Sequence, residues 1–142
     1  MSQSKPDGRW LAYQSNESGQ NQVHVRPFPN VNTGRWQIST GGGTKPVWAH
    51  SGRELFYLDG RSALTTVSTQ TTPSFSVGNP TKLFDARYLS AVQARSYDVA
   101  RDDQRFLMIK DTAADQTSTS TPASMVVVLN WFEELKRLVP RN

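Results

Sequence analysis

Along most of the chain apolar residues alternate with polar ones or run in short β-branched and aromatic stretches, each bounded by Gly, Asn, Asp or Pro. That period belongs to short antiparallel strands. Ten strands are predicted, in three units. The first unit, 6–40, has strands near 10–15, 22–28 and 35–40, separated by turn-forming runs, and lacks an innermost strand before Trp10. The second, 44–85, looks complete, with strands at 46–49, 54–58, 64–69 and 81–84 and tight turns at 51–53 and 59–61. The third, 95–131, offers 96–100, 105–110 and 124–131, interrupted at 112–123 by a Ser/Thr-rich stretch too polar to bury surface of its own. After Asn130 the period changes. Trp131, Leu135 and Leu138 fall on one helical stripe, Glu133 and Arg137 pair four apart, and Pro140 ends the run, which predicts a short helix over 131–139.

A repeat underlies these units. Pro6-Asp7-Gly8-Arg9-Trp10-Leu11-Ala12-Tyr13 returns in altered form as Ser51-Gly52-Arg53-Glu54-Leu55-Phe56-Tyr57 and again as Asp102-Asp103-Gln104-Arg105-Phe106-Leu107-Met108. Gly8, Gly52 and Asp103 are then equivalent points, 44 and 51 residues apart, a spacing that suits four-stranded propeller blades. The predicted fold is all-β: a partial β-propeller of about three four-stranded antiparallel blades with the short C-terminal helix, one segment over 1–142. At the third turn glycine is replaced by Asp103, whose short polar side chain tolerates a positive φ. Closed propellers have four or more blades, so the chain is expected to be part of a longer propeller or to close its ring as a homodimer through the open edge before Trp10.

The phrases Pro6-Asp7-Gly8-Arg9-Trp10-Leu11-Ala12-Tyr13, Val25-Arg26-Pro27-Phe28-Pro29, Trp36-Gln37-Ile38-Ser39-Thr40-Gly41-Gly42-Gly43 and Pro46-Val47-Trp48 resemble the TolB-like, WD-repeat-like propeller family. With Val127-Val128-Leu129-Asn130-Trp131 they look like the C-terminal end of propeller regions attached to bacterial eukaryotic-like serine/threonine protein kinases. The resemblance implies a non-catalytic sensor or interaction module that binds a protein or peptide. Related propellers gate prolyl-oligopeptidase-type peptidases, so the alternative is an accessory propeller of an oligopeptidase-like hydrolase, or a propeller hydrolase. The chain departs from the usual Trp-Ser-Pro-Asp-Gly turn at Trp48-Ala49-His50-Ser51-Gly52 and at 100–103.

Composition narrows the chemistry. With 142 residues, 36% hydrophobic and 10% aromatic, the chain can build a core, in which Trp10, Trp36, Trp48 and Trp131 are expected to pack. It has no cysteine, which excludes disulfides and thiolate metal sites. Net charge is +4, with arginines scattered at turns, a pattern of solvated edges rather than a nucleic-acid face. The N-terminal residues lack a signal-peptide apolar core and the longest apolar run, 125–129, is too short to cross a bilayer, so a soluble chain without membrane insertion is expected. Kinase loops and a Gly-x-Ser-x-Gly elbow are absent from the sequence, and Gly41-Gly42-Gly43-Thr44-Lys45 reads as an inter-blade turn. The candidate contact residues are His24, Arg26 and His50. His24 and Arg26 share the strand face opposite Val23 and Val25, read as a half-solvated outer face with ligand contact in an axial channel as the alternative, and His50 sits with Ser51 in a turn. No cofactor or metal is expected from two histidines with no convergent carboxylates.

Overall fold

Eleven strands and no helix form among residues 1–85 and 95–109, which are the residues described by the computed structural model. The first sheet runs β1 (Ser2–Ser4), β2 (Trp10–Ser15), β3 (Gln22–Pro27) and β4 (Trp36–Gln37), each antiparallel to the next. In the second, β5 (Gly43–Trp48), β6 (Glu54–Asp59) and β7 (Ala63–Gln70) form a meander, and β8 (Ser76–Val77) and β9 (Thr81–Asp85) both add to β7. A third sheet pairs β10 (Tyr97–Val99) with β11 (Phe106–Met108).

Register decides which side chains meet. Because β2 and β3 pair continuously, Ala12 and Val25 lie side by side and share a face with Trp10 and Val23. That face packs with Trp48, Leu55, Tyr57, Val67 and Phe75 of the second sheet and its loop. On β6 the alternation is strict: Leu55 and Tyr57 point to this cluster, while Phe56 and Leu58 point the other way, to Val47, Leu64, Tyr97 and Val99. The second sheet is therefore buried on both faces, which explains why Leu55-Phe56-Tyr57-Leu58 reads as an unbroken apolar run. Trp10, Trp36 and Phe75 close the edge of the first cluster with ring centroids 4.6 to 5.5 Å apart.

Two sequence expectations need correction. A strand does precede Trp10: β1 pairs with β2 through Ser2, Gln3 and Ser4, so the β2 edge that motivated a homodimer is covered by the chain itself and β1 becomes the edge of the sheet. The strand expected over 35–40 shrinks to Trp36–Gln37, because the Ser39 hydroxyl, not a backbone carbonyl, accepts the Val23 N–H at 2.9 Å. In the second unit the predicted strands stand within three residues of the observed ones, with a bulge between Thr44 and Val47 where Lys45 has φ 53°. The expected strand at 124–131, the polar stretch 112–123, Trp131 and the helix at 131–139 lie outside the described residues.

Candidate functional site

Three turns at one end of the strands have the same construction. The N–H of Gly8 donates to Lys5 C=O at 2.8 Å, that of Gly52 to Ala49 C=O at 2.9 Å, and that of Asp103 to Ala100 C=O at 2.9 Å. Each turn is closed by a second bond, from Lys5 N–H to Trp10 C=O, Ala49 to Glu54 and Ala100 to Arg105. The residues at the repeat points have φ of 69°, 67° and 56°, so Asp103 does occupy the left-handed region that glycine fills in the other two turns. One residue earlier, side-chain oxygens of Asp7, Ser51 and Asp102 each accept the N–H two residues on.

The third turn then reaches back to the second. Asp103 Oδ1 accepts the His50 N–H at 2.7 Å, and Oδ2 accepts the Ser51 N–H at 2.9 Å. His50 Nδ1 lies 3.2 Å from Oδ1. Burial of the Asp103 carboxyl pushes its pKa up, but the N–H donors of Ser51 and His50 outweigh it and hold the group below the ordinary value. Serine, histidine and aspartate thus meet, but in the wrong order for catalysis. A nucleophilic triad needs the imidazole bonded to both hydroxyl and carboxylate, whereas here Asp103 takes the Ser51 backbone N–H and the Ser51 hydroxyl accepts the Arg53 N–H at 3.4 Å. The cluster fastens two turns and leaves His50 half-exposed at their surface.

Further polar stitches join the sheets. Gln3 Oε1 accepts the Trp48 N–H at 2.7 Å and Gln14 Oε1 the Lys45 N–H at 2.9 Å, while Tyr97 Oη donates to Lys45 C=O at 2.7 Å. Lys5 pairs with Asp7 at 3.1 Å, with its ammonium 5.9 Å from the centre of the Trp48 ring. Sequence reasoning missed all of these. The available signal was Gln14, two residues beyond Ala12 on the inward-facing side of β2.

His24 and Arg26 do share the face opposite Val23 and Val25, but His24 is not half-solvated: it is only 3% exposed. The Tyr13 ring stacks on it at 5.6 Å. Arg26 in turn covers Tyr13, donating from Nε to Tyr13 Oη at 2.7 Å and from a terminal nitrogen to Val31 C=O at 3.1 Å. His24 Nδ1 is buried with no hydrogen-bond partner among the described residues. Desolvation, and then the nearby Arg35 charge, hold the His24 pKa below 6.5 despite an opposing effect of Glu17, so the ring is kept neutral. The structure brings His24 and Arg26 together around Tyr13 and places His50 in a separate cluster with Asp103. Among the described residues no three His, Asp or Glu side chains converge where a metal ion could sit. Neither the models of known protein families nor the sequences of curated proteins match this chain.

Proposed function

We propose that the chain is a partial β-propeller, similar to the TolB-like propellers, which serves as a non-catalytic module binding a protein or peptide across its turn end. Three observations support the blade reading: turns of one construction at repeat points 44 and 51 residues apart, sheets that succeed one another along the chain, and a middle sheet buried between its two neighbours. The observation that carries the functional reading is the Asp103 clasp. It locks the backbones of two adjacent turns to each other while leaving His50 half-exposed, and a surface ordered in advance loses little entropy when a partner docks.

The test selects peptides from a displayed random library on the full chain and, in parallel, screens generic ester and peptide substrates for turnover. Saturable binding that weakens several-fold in His50→Ala, with no turnover, is the expected result. Hydrolysis that disappears in His50→Ala or Ser51→Ala would overturn the reading in favour of an enzyme.

A further inference from the structure

An open cleft of about 340 Å³ is lined by residues of β6, β7 and β9 in the second sheet and by Asp103, Gln104 and Phe106 of the third. Its volume is at the small end of the range for ligand pockets. Its floor is aromatic: Phe106 meets Phe56 with centroids 5.0 Å apart and planes at 82°, and Phe84 at 5.9 Å and 69°, while Leu83 adds an exposed aliphatic edge. Two carboxylates, Glu54 and Asp103, belong to the lining, and no cation among the described residues does.

Those two carboxylates are not equivalent. Asp103 commits its oxygens to the N–H groups of His50 and Ser51. Glu54 has only a long contact, 3.5 Å from the Thr66 hydroxyl, and no ion pair among the described residues. A partly buried carboxylate beside three aromatic rings favours one kind of occupant: an aliphatic stem with a cation at its tip. The stem covers the rings, the cation faces the carboxylate, and ring quadrupoles add to the attraction. Among the described residues every other carboxylate accepts a hydrogen bond from a nitrogen at 3.1 Å or less, so Glu54 is the one left with the weakest partner in a chain of net charge +4. From this we infer that the cleft receives a lysine or arginine side chain of a bound peptide, with Glu54 as its charge partner. The inference rests on the peptide-binding reading and names the side chain that the partner would present.

The full-length chain, labelled with ¹⁵N, is titrated by NMR with the pentapeptide Gly-Gly-Lys-Gly-Gly and with versions carrying norleucine or glutamate in place of lysine. The lysine peptide is expected to shift the amide signals of Glu54, Thr66, Phe84 and Gln104 and to bind about tenfold more tightly than the norleucine peptide. Glu54→Gln, which keeps an oxygen for the Thr66 hydroxyl, is expected to lower lysine-peptide affinity about tenfold without moving the thermal midpoint. Equal affinity for lysine and norleucine, unchanged affinity in Glu54→Gln, or failure of the lysine peptide to bind overturns the inference. Should the lysine peptide shift only signals of the 49–52 and 100–103 turns, the cleft assignment falls while the peptide-binding reading stands. Library-selected peptides that bind independently of Glu54 separate the two in the same way.

Discussion

Replacing Asp103 by glycine sets two effects of similar size against each other. Glycine relieves the cost of holding a side chain at φ 56°, which is about 1 kcal/mol for a short polar residue. It also removes a carboxylate, only 12% exposed, that accepts two backbone N–H groups at 2.7 and 2.9 Å. Hydrogen bonds to a charged acceptor contribute about 1.5 to 3 kcal/mol each, and the lower end applies because water can reach the His50 and Ser51 amides once the carboxylate is gone. The balance is a net loss of about 1 to 2 kcal/mol for Asp103→Gly, and about 1 kcal/mol more for Asp103→Ala, which loses the acceptor and keeps the strain. Guanidinium titration followed by tryptophan fluorescence at neutral pH measures both. The sign also fixes a pH dependence: a carboxyl held below its unfolded value stabilises fully above about pH 3.8, and that contribution is lost as pH falls through the folded value. The deficit of Asp103→Gly should therefore fade in acid. A glycine variant as stable as the parent at neutral pH would refute the reasoning, since strain would then outweigh the clasp.

Trp48 is 2% exposed, so Trp48→Ala should destabilise by about 3 to 5 kcal/mol in the same assay. Trp48→Phe should cost about 1 to 2 kcal/mol, because the indole N–H it removes has no partner among the described residues; a loss below about 1 kcal/mol for alanine would contradict burial. His24 is buried neutral with its pKa held below 6.5, so the unfolded chain takes up the proton first and stability falls as pH drops below 6.5. His24→Gln should flatten that slope between pH 7 and 5 in denaturation midpoints, and parallel slopes would show that the ring does not titrate on unfolding. Gly60→Ala should be far more damaging than Gly8→Ala: a Cβ at 60 would run into the Gly41 carbonyl oxygen, whereas at Gly8 the space is open and only φ 69° opposes it. About 1 kcal/mol is expected for Gly8→Ala and more than about 2 for Gly60→Ala, and equal thermal midpoints would disprove the close approach.

The sequence disclosed most where hydrophobic periodicity and turn chemistry agree. The second unit was legible because Leu55-Phe56-Tyr57-Leu58 and Leu64 to Val67 are flanked by glycine and aspartate turns, so pattern and punctuation point to the same strands. β1 was not, since Ser2-Gln3-Ser4 carries no apolar residue and is held by backbone pairing and by the Gln3 amide on Trp48. For His24 the alternation gave the correct face but not its cover. That cover comes from Tyr13 on the paired strand and from Arg26 folding over it, which no local pattern encodes. Likewise the positive φ of Asp103 follows from aligning the repeats, whereas its hold on His50 joins residues 53 apart and depends on how two sheets stack.

Comparison of successive turns explains why an aspartate stands at only one repeat point. The second turn offers the N–H of His50, and one repeat later Asp103 takes it. At the equivalent place the first turn has Pro6, which has no N–H to give, and one repeat later stands Gly52. There the contact is made from the opposite side: Lys5 of the first turn fills the space beside Gly52, where a Cβ would come within 2.9 Å of its Cε, and sets its ammonium 5.9 Å from the centre of the Trp48 ring. Turn geometry is thus repeated while the fasteners are pairwise, and a double-mutant cycle can tell the two apart. The first turn shows that proline fits this position, so His50→Pro should preserve the turn while deleting one donor and the imidazole. In that background Asp103→Gly should cost about 1 kcal/mol less than in the parent, because the bond it removes is already absent. Additive losses from the two substitutions would mean that the His50–Asp103 bond adds nothing to stability, leaving the second and third sheets joined by the Ser51–Asp103 and Tyr97–Lys45 bonds and by their apolar faces.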